Sequence, residues 1–189
     1  GSVYNCGDND NNELGRSGKR SQFRRIQLLE TDSIVDFSLG DNGWSIALAN
    51  QGGLYSWGVN SMGELGNGTR ERVDKPKPNG KLTGSCGGSC VHLVSGGRHS
   101  VGVVSWGTNR KGQLGTDSSV LQQQYLSTSS NLTATTNSVA SSDASPPVLE
   151  ARSILSLRHR PVLSVACGED FSLALTTTGL LYSWGDNSK

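Results

Sequence analysis

A strand-like phrase ending in Trp-Gly returns down this chain: Leu54-Tyr55-Ser56-Trp57-Gly58, Val104-Ser105-Trp106-Gly107 and Leu181-Tyr182-Ser183-Trp184-Gly185. A worn copy, Val3-Tyr4-Asn5-Cys6-Gly7, stands ahead of them. Cys6 and Trp57 are 51 positions apart and Trp57 and Trp106 are 49 apart. Trp106 and Trp184 are 78 apart, so the third unit carries an insertion. Self-similarity at a period of about 20–50 residues marks stacked supersecondary units, each burying its faces against its neighbours. Such arrays offer a binding surface more often than a catalytic pocket.

Two further phrases travel with the first. One follows it: Asn12-Glu13-Leu14-Gly15, Gly63-Glu64-Leu65-Gly66 and Gly112-Gln113-Leu114-Gly115. The other precedes it, as residues 34–40 with 44–48, 91–96 with 99–101, and 162–168 with 171–175. These runs are short, β-branched or aromatic, partly alternating, and bounded by Gly, Asn and Asp, which reads as strand. Gly52-Gly53 and Thr178-Gly179 supply hairpin turns, because glycine reaches positive φ at little cost. The unit is then four strands: an inner one (163–167), a second (172–176), the Trp-Gly strand, and a weak outer one such as 24–29. Four-stranded sheets repeated about every 50 residues predict an all-β fold of propeller blades.

In this order the phrases resemble the regulator of chromosome condensation repeat family. Its repeat joins a Trp-Gly strand, Gly-Gln-Leu-Gly and an Ala-Cys-Gly strand pair, the last matched by Ala166-Cys167-Gly168. The resemblance covers the chain outside the insertion. It implies blades of four antiparallel strands, with about three repeats present of a seven-bladed ring needing roughly 350 residues. The expected divisions of this partial propeller, residues 1–189, are repeat 1 at 3–53, repeat 2 at 54–103, repeat 3 at 104–180 and the start of repeat 4 at 181–189. On this reading the chain is part of a ring. The resemblance also implies a non-enzymatic protein-protein interaction module that binds through blade loops. Guanine nucleotide exchange on a small GTPase is the alternative it brings.

Two irregularities break the pattern. Residues 116–147 are rich in Ser, Thr, Gln and Asn and cannot bury enough surface to offset their ordering entropy. They read as a low-complexity insertion at a blade corner. Gly40 to Gly58 spans 18 positions and Gly168 to Gly185 spans 17, yet Gly96 to Gly107 spans 11. The shortfall lies between Val103 and Val104, where a hairpin turn belongs. Repeat 2 is therefore expected to have a shortened hairpin, from a distorted blade or an altered transcript.

Net charge is +1, so no global field recruits nucleic acid or membrane, and chromatin is not expected as a partner of this segment. No run of about 18 apolar residues offers a membrane-spanning helix. With no visible leader, an intracellular location, cytoplasmic or nuclear, is expected. No phosphate-cradling Gly-x4-Gly-Lys, nucleophile elbow or His-Glu-x2-His occurs. Cys86-x3-Cys90-x-His92, with His99 further on, is loosely spaced for zinc. No metal or cofactor is expected, and the four cysteines read as free thiols.

Trp57, Trp106 and Trp184 recur once per unit on one strand, which predicts packing anchors between neighbouring blades over ligand-stacking rings. His99, beside Gly96-Gly97-Arg98, is expected to bond the next blade. The loops remain. Arg16, Lys19, Arg20, Arg24 and Arg25 crowd within ten positions, and Arg110-Lys111 follow the third Trp-Gly strand. The candidate partner contacts are Arg16, Lys19, Arg20, Arg110 and Lys111, with solvated loop charge as the competing reading.

Overall fold

The computed structural model describes residues 2–27, 32–81, 83, 93–102, 104–116, 147–157 and 160–188. Among the described residues, four antiparallel sheets follow one another along the chain. The first pairs β1 (Tyr4–Asn5) with β2 (Arg24–Arg25). The second has the order β3 (Ile34–Gly40), β4 (Trp44–Ala49), β5 (Leu54–Gly58), β6 (Val73–Pro78). The third runs β7 (Val94–Ser95), β8 (His99–Val101), β9 (Val104–Gly107), β10 (Val148–Ser153). The fourth contains β11 (Val162–Cys167), β12 (Phe171–Thr176) and β13 (Leu181–Gly185). The Trp-Gly phrase is β5, β9 and β13, so the period read from sequence is a period of sheets.

The second, third and fourth sheets each draw strands from two successive sequence units. The segment from Tyr4 to Ala49, for example, supplies β1 and β2 to the first blade and β3 and β4 to the second. The peptide chain thereby ties neighbouring blades together. Between blades lie three apolar clusters, one per interface. Ile26, Ala47 and Trp57 join the first and second blades. Trp44, Ile46, Leu65, Leu93 and Trp106 belong to the cluster between the second and third. Val101, Ile154, Leu157, Val165 and Ala174 join the third and fourth, with Trp184 packed against them. All six residues of β4 are buried, as expected for a strand covered on both faces. At the first blade, which has two short strands, β3 keeps Val35, Phe37 and Leu39 about 60 % exposed.

The third blade has shorter strands than the second. Its strand order matches the second blade, but β8 has three residues against six in β4. Gly102 donates to the Val104 carbonyl at 2.8 Å, closing the reversal directly. Val103 itself lies outside the described residues, as do the insertion positions 117–146 and Cys86, Cys90 and His92. The weak outer strand expected at 24–29 forms at Arg24–Arg25, and residues 28 and 29 are likewise outside. Among the described residues, no helix is long and apolar enough to cross a membrane.

Candidate functional site

The loops after β1, β5 and β9 are built the same way. Asn9, Asn60 and Asn109 accept, through Oδ1, from the amides of Leu14, Leu65 and Leu114 at 2.9, 2.9 and 3.0 Å. Glu13, Glu64 and Gln113 accept, through a side-chain oxygen, from the amides of Asn11, Met62 and Lys111 at 2.8, 2.7 and 2.8 Å. With both side chains folded inward, the main-chain carbonyl of the Glu or Gln serves the next blade. Trp57 Nε1 donates to Glu13 O at 2.8 Å, Trp106 to Glu64 O at 2.7 Å and Trp184 to Gln113 O at 2.8 Å. Gly15, Gly66 and Gly115 close the three loops at φ of 61°, 61° and 62°. A Cβ there would lie 2.8, 2.9 and 2.9 Å from the same three indoles, so both conformation and space demand glycine.

The third clasp is extended by a buried relay. Ser172 Oγ donates its single proton to Gln113 O at 2.9 Å. His99 Nε2, 3.0 Å from that hydroxyl, must then be the donor, which fixes the tautomer. His99 sits on β8 and Ser172 on β12, so the imidazole bonds the next blade as expected. Burial drives its pKa down to about 4, against weaker opposing effects of the Asp170 charge and the Phe171 backbone. It is neutral at physiological pH. Burial likewise lifts the Cys167 thiol to about 11, which leaves it unreactive. Cys6 is exposed, and both are free thiols.

The five candidate contacts fall in different settings. Arg16 is a strut: it donates to Asn5 Oδ1 and to Asn5 O at 2.7 Å each, and to Gln22 O at 3.0 Å. Arg20 pairs with Asp8 at 2.8 Å and with Asp10. Lys19 is exposed and makes no ion pair among the described residues. Arg110 and Lys111 line a cleft of about 350 Å³ with Asn42, Arg98, Glu169 and Asp170. This cleft gathers turns from the second, third and fourth blades. Asn42 Nδ2 bridges to Gly97 O at 2.6 Å, and Gln113 Nε2 to Asp170 Oδ1 at 2.9 Å. Lys111 pairs with Asp186 at 3.1 Å. Hydrogen bonds from Ser188, then Lys111, hold the Asp186 carboxyl down near 2. The Arg98 and Arg110 side chains are exposed with no polar partner among the described residues.

Arg98, Asn42 and Asp170 were not among the candidate contacts read from the sequence. All three fall in the short turn between an inner strand and the second strand of its blade, a register that the repeat itself could have flagged. Among the described residues, no group of three or more His, Cys, Asp or Glu side chains could hold a metal ion.

Known proteins share this architecture. The family model described as "Regulator of chromosome condensation (RCC1) repeat" matches residues 51–103 and 102–175, and a second model of the same description matches 162–189. Human "Probable E3 ubiquitin-protein ligase HERC6" is 32% identical over 195 residues, covering 98% of this chain and 16% of that protein. The mouse "Secretion-regulating guanine nucleotide exchange factor" is 31% identical over 135 residues, covering 71% of this chain and 24% of that one. The crystal structure of Prp20p from Saccharomyces cerevisiae, reported with its binding properties to Gsp1p and histones, superposes at a TM-score of 0.68. It is 19% identical, with 100% of this chain covered and 40% of the other. The chain thus spans less than half the length of each. With its sheets, its indole clasps and these matches in agreement, the chain belongs to the regulator of chromosome condensation (RCC1) repeat family and folds as blades of a β-propeller.

Proposed function

We propose that this chain is a non-covalent protein-binding module whose partner contacts the inter-blade cleft at Arg98, Arg110 and Lys111. One observation carries the reading: three blades converge on that cleft through clasped turns, while the Arg98 and Arg110 guanidinium groups stay exposed. A rigid scaffold with uncommitted charge lowers the ordering cost of binding. Lys19 and Arg20, on the outer loop, are secondary contacts. A cytoplasmic or nuclear location goes with this reading. HERC6 carries a ligase name, but this chain matches a small part of it, so no ligase step is assigned here.

The test is capture of partners from cell extract by the wild-type chain and by Arg98→Ala/Arg110→Ala. A set of proteins retained by the first and lost by the second is the expected result. Equal recovery by both overturns the cleft assignment. The mouse exchange factor among the relatives motivates a second reading, nucleotide exchange on a small GTPase. Release of labelled GDP from a GTPase panel decides it: no acceleration rejects exchange. The histone binding named for Prp20p also leaves the expectation against chromatin, drawn from net charge alone, without support. Histones belong among the candidate partners.

A further inference from the structure

We propose that the outer rim between the first and second blades is an anion-binding groove for an acidic, extended segment of a protein partner. The proposal rests on the reading of the chain as a binding module, but it concerns a surface separate from the Arg98–Arg110 cleft. A hollow of about 480 Å³ is lined by Arg16, Ser17, Arg24, Arg25, Gln27 and Lys75. Four of these are cationic, and no carboxylate lines the hollow among the described residues. The whole chain carries only +1, so the charge is a local concentration. Arg25 is engaged by a contact of its own. Arg16, Arg24 and Lys75 have no carboxylate partner among the described residues, and their mutual repulsion is relieved when an anion enters. Nearby acids are engaged elsewhere. Asp74 accepts from Arg72 at 2.9 Å and from Asn12 at 2.8 Å, while Asp8 and Asp10 hold Arg20.

The walls are preset. Arg16 is fixed by Asn5 and Gln22, and Arg24 Nε donates to Gln22 Oε1 at 3.0 Å. A guanidinium already held in place loses less freedom when it meets a carboxylate or phosphate. The occupant follows from what the groove refuses. Lys75 lies on β6, the edge strand of its blade, and Pro76 and Pro78 deprive that edge of two amide donors. Strand addition is therefore blocked, and recognition is left to side chains. No aromatic ring lines the hollow among the described residues, so nucleobases find no stacking platform. Acidic polypeptide, with Asp, Glu or phosphorylated side chains, is the fitting chemistry.

The test is fluorescence anisotropy of the 189-residue chain against a fluorescein-labelled hexaglutamate peptide, with hexalysine and hexathymidylate as comparison probes. Saturable hexaglutamate binding is expected, weakened by about tenfold or more as salt rises from about 50 to 500 mM. The double variant Arg24→Gln/Lys75→Gln should bind at least about tenfold more weakly, as expected for two lost charge-assisted contacts. Arg98→Ala/Arg110→Ala should bind like wild type. Arg24 and Lys75 are exposed, and an unchanged near-ultraviolet tryptophan spectrum checks that the variant folds. No saturable binding, equal binding by the Arg24/Lys75 variant, or equal binding of hexalysine overturns the proposal. Hexathymidylate binding as tight as hexaglutamate overturns the polypeptide assignment. Because capture at the cleft is read with a different variant, failure here leaves that assignment standing, and failure there leaves this one.

Discussion

The second and third blades have the same strand order and unequal strands. The second has a six-residue β4 reversing into β5 through Ala49 and Gly53, where Ala49 N donates to Gly53 O at 2.8 Å. The third reverses across Gly102 and Val104 after three residues of β8. Both nevertheless keep the indole clasp, the glycine beneath it, and the capped loop that offers the carbonyl. Hairpin length is thus the variable part of a blade, and the clasp end is the fixed part. The third blade also recruits Ile154 and Leu157, from the turn after β10, to pack with Val101 at its shortened end.

This contrast breaks if the clasp proves dispensable. Trp106 is fully buried and bridges the second and third blades, so Trp106→Ala removes a clasp and opens a cavity. A loss of about 3–5 kcal/mol is expected in urea unfolding. Trp184, half-buried at the fourth blade, should lose less when truncated. Equal losses at the two positions would mean that burial between blades does not set the value of the clasp.

Acid sharpens the same comparison, because the third blade places His99 where the second has Trp44 and the fourth has Phe171. The folded ring titrates at about 4 and the free one at 6.5. The folded state holds the neutral form, so its stabilising contribution is complete above pH 6.5 and drains as pH falls toward 4. The two values imply a loss on the order of 3 kcal/mol, with the opposing effect of Asp170 already included. Thermal unfolding of wild type and His99→Phe between these pH values reads it. The variant should lack the histidine component of the acid loss, and identical profiles would remove His99 from it.

Much of this was legible in the residues. The three Trp-Gly strands, their inner partners and the packing role of the indoles follow from period and burial chemistry. The outer strands β6 and β10 did not. Val73–Pro78 carries two prolines and two lysines, devices that protect a sheet edge and read as loop. Val148–Ser153 emerges only after the low-complexity insertion. The clasp acceptor is a main-chain carbonyl, which no side chain announces, so Gly-Glu/Gln-Leu-Gly looked like punctuation. Nothing local reveals that Arg16 is also held by three acceptors on Asn5 and Gln22. The cleft unites Asn42, Arg110 and Asp170 through blade stacking, a neighbourhood that no short motif encodes.

The smallest expected effect tests the variable end directly. Grafting an Asn-Gly turn with two added residues per strand between Gly102 and Val104 gives the third blade a hairpin nearer the length of the second. Lengthening a loop costs little, about 0.6 kcal/mol per doubling, and the added ladder bonds offset much of it. A change within about 1 kcal/mol, or a few degrees in Tm, is therefore expected. Amide exchange should show new protection beyond Val101 if the strands extend. A loss above about 2 kcal/mol would mean that Val101, Ile154 and Leu157 already fill the space a longer hairpin needs. The short reversal would then be a packed feature of this blade, and the clasp would no longer be its only fixed end.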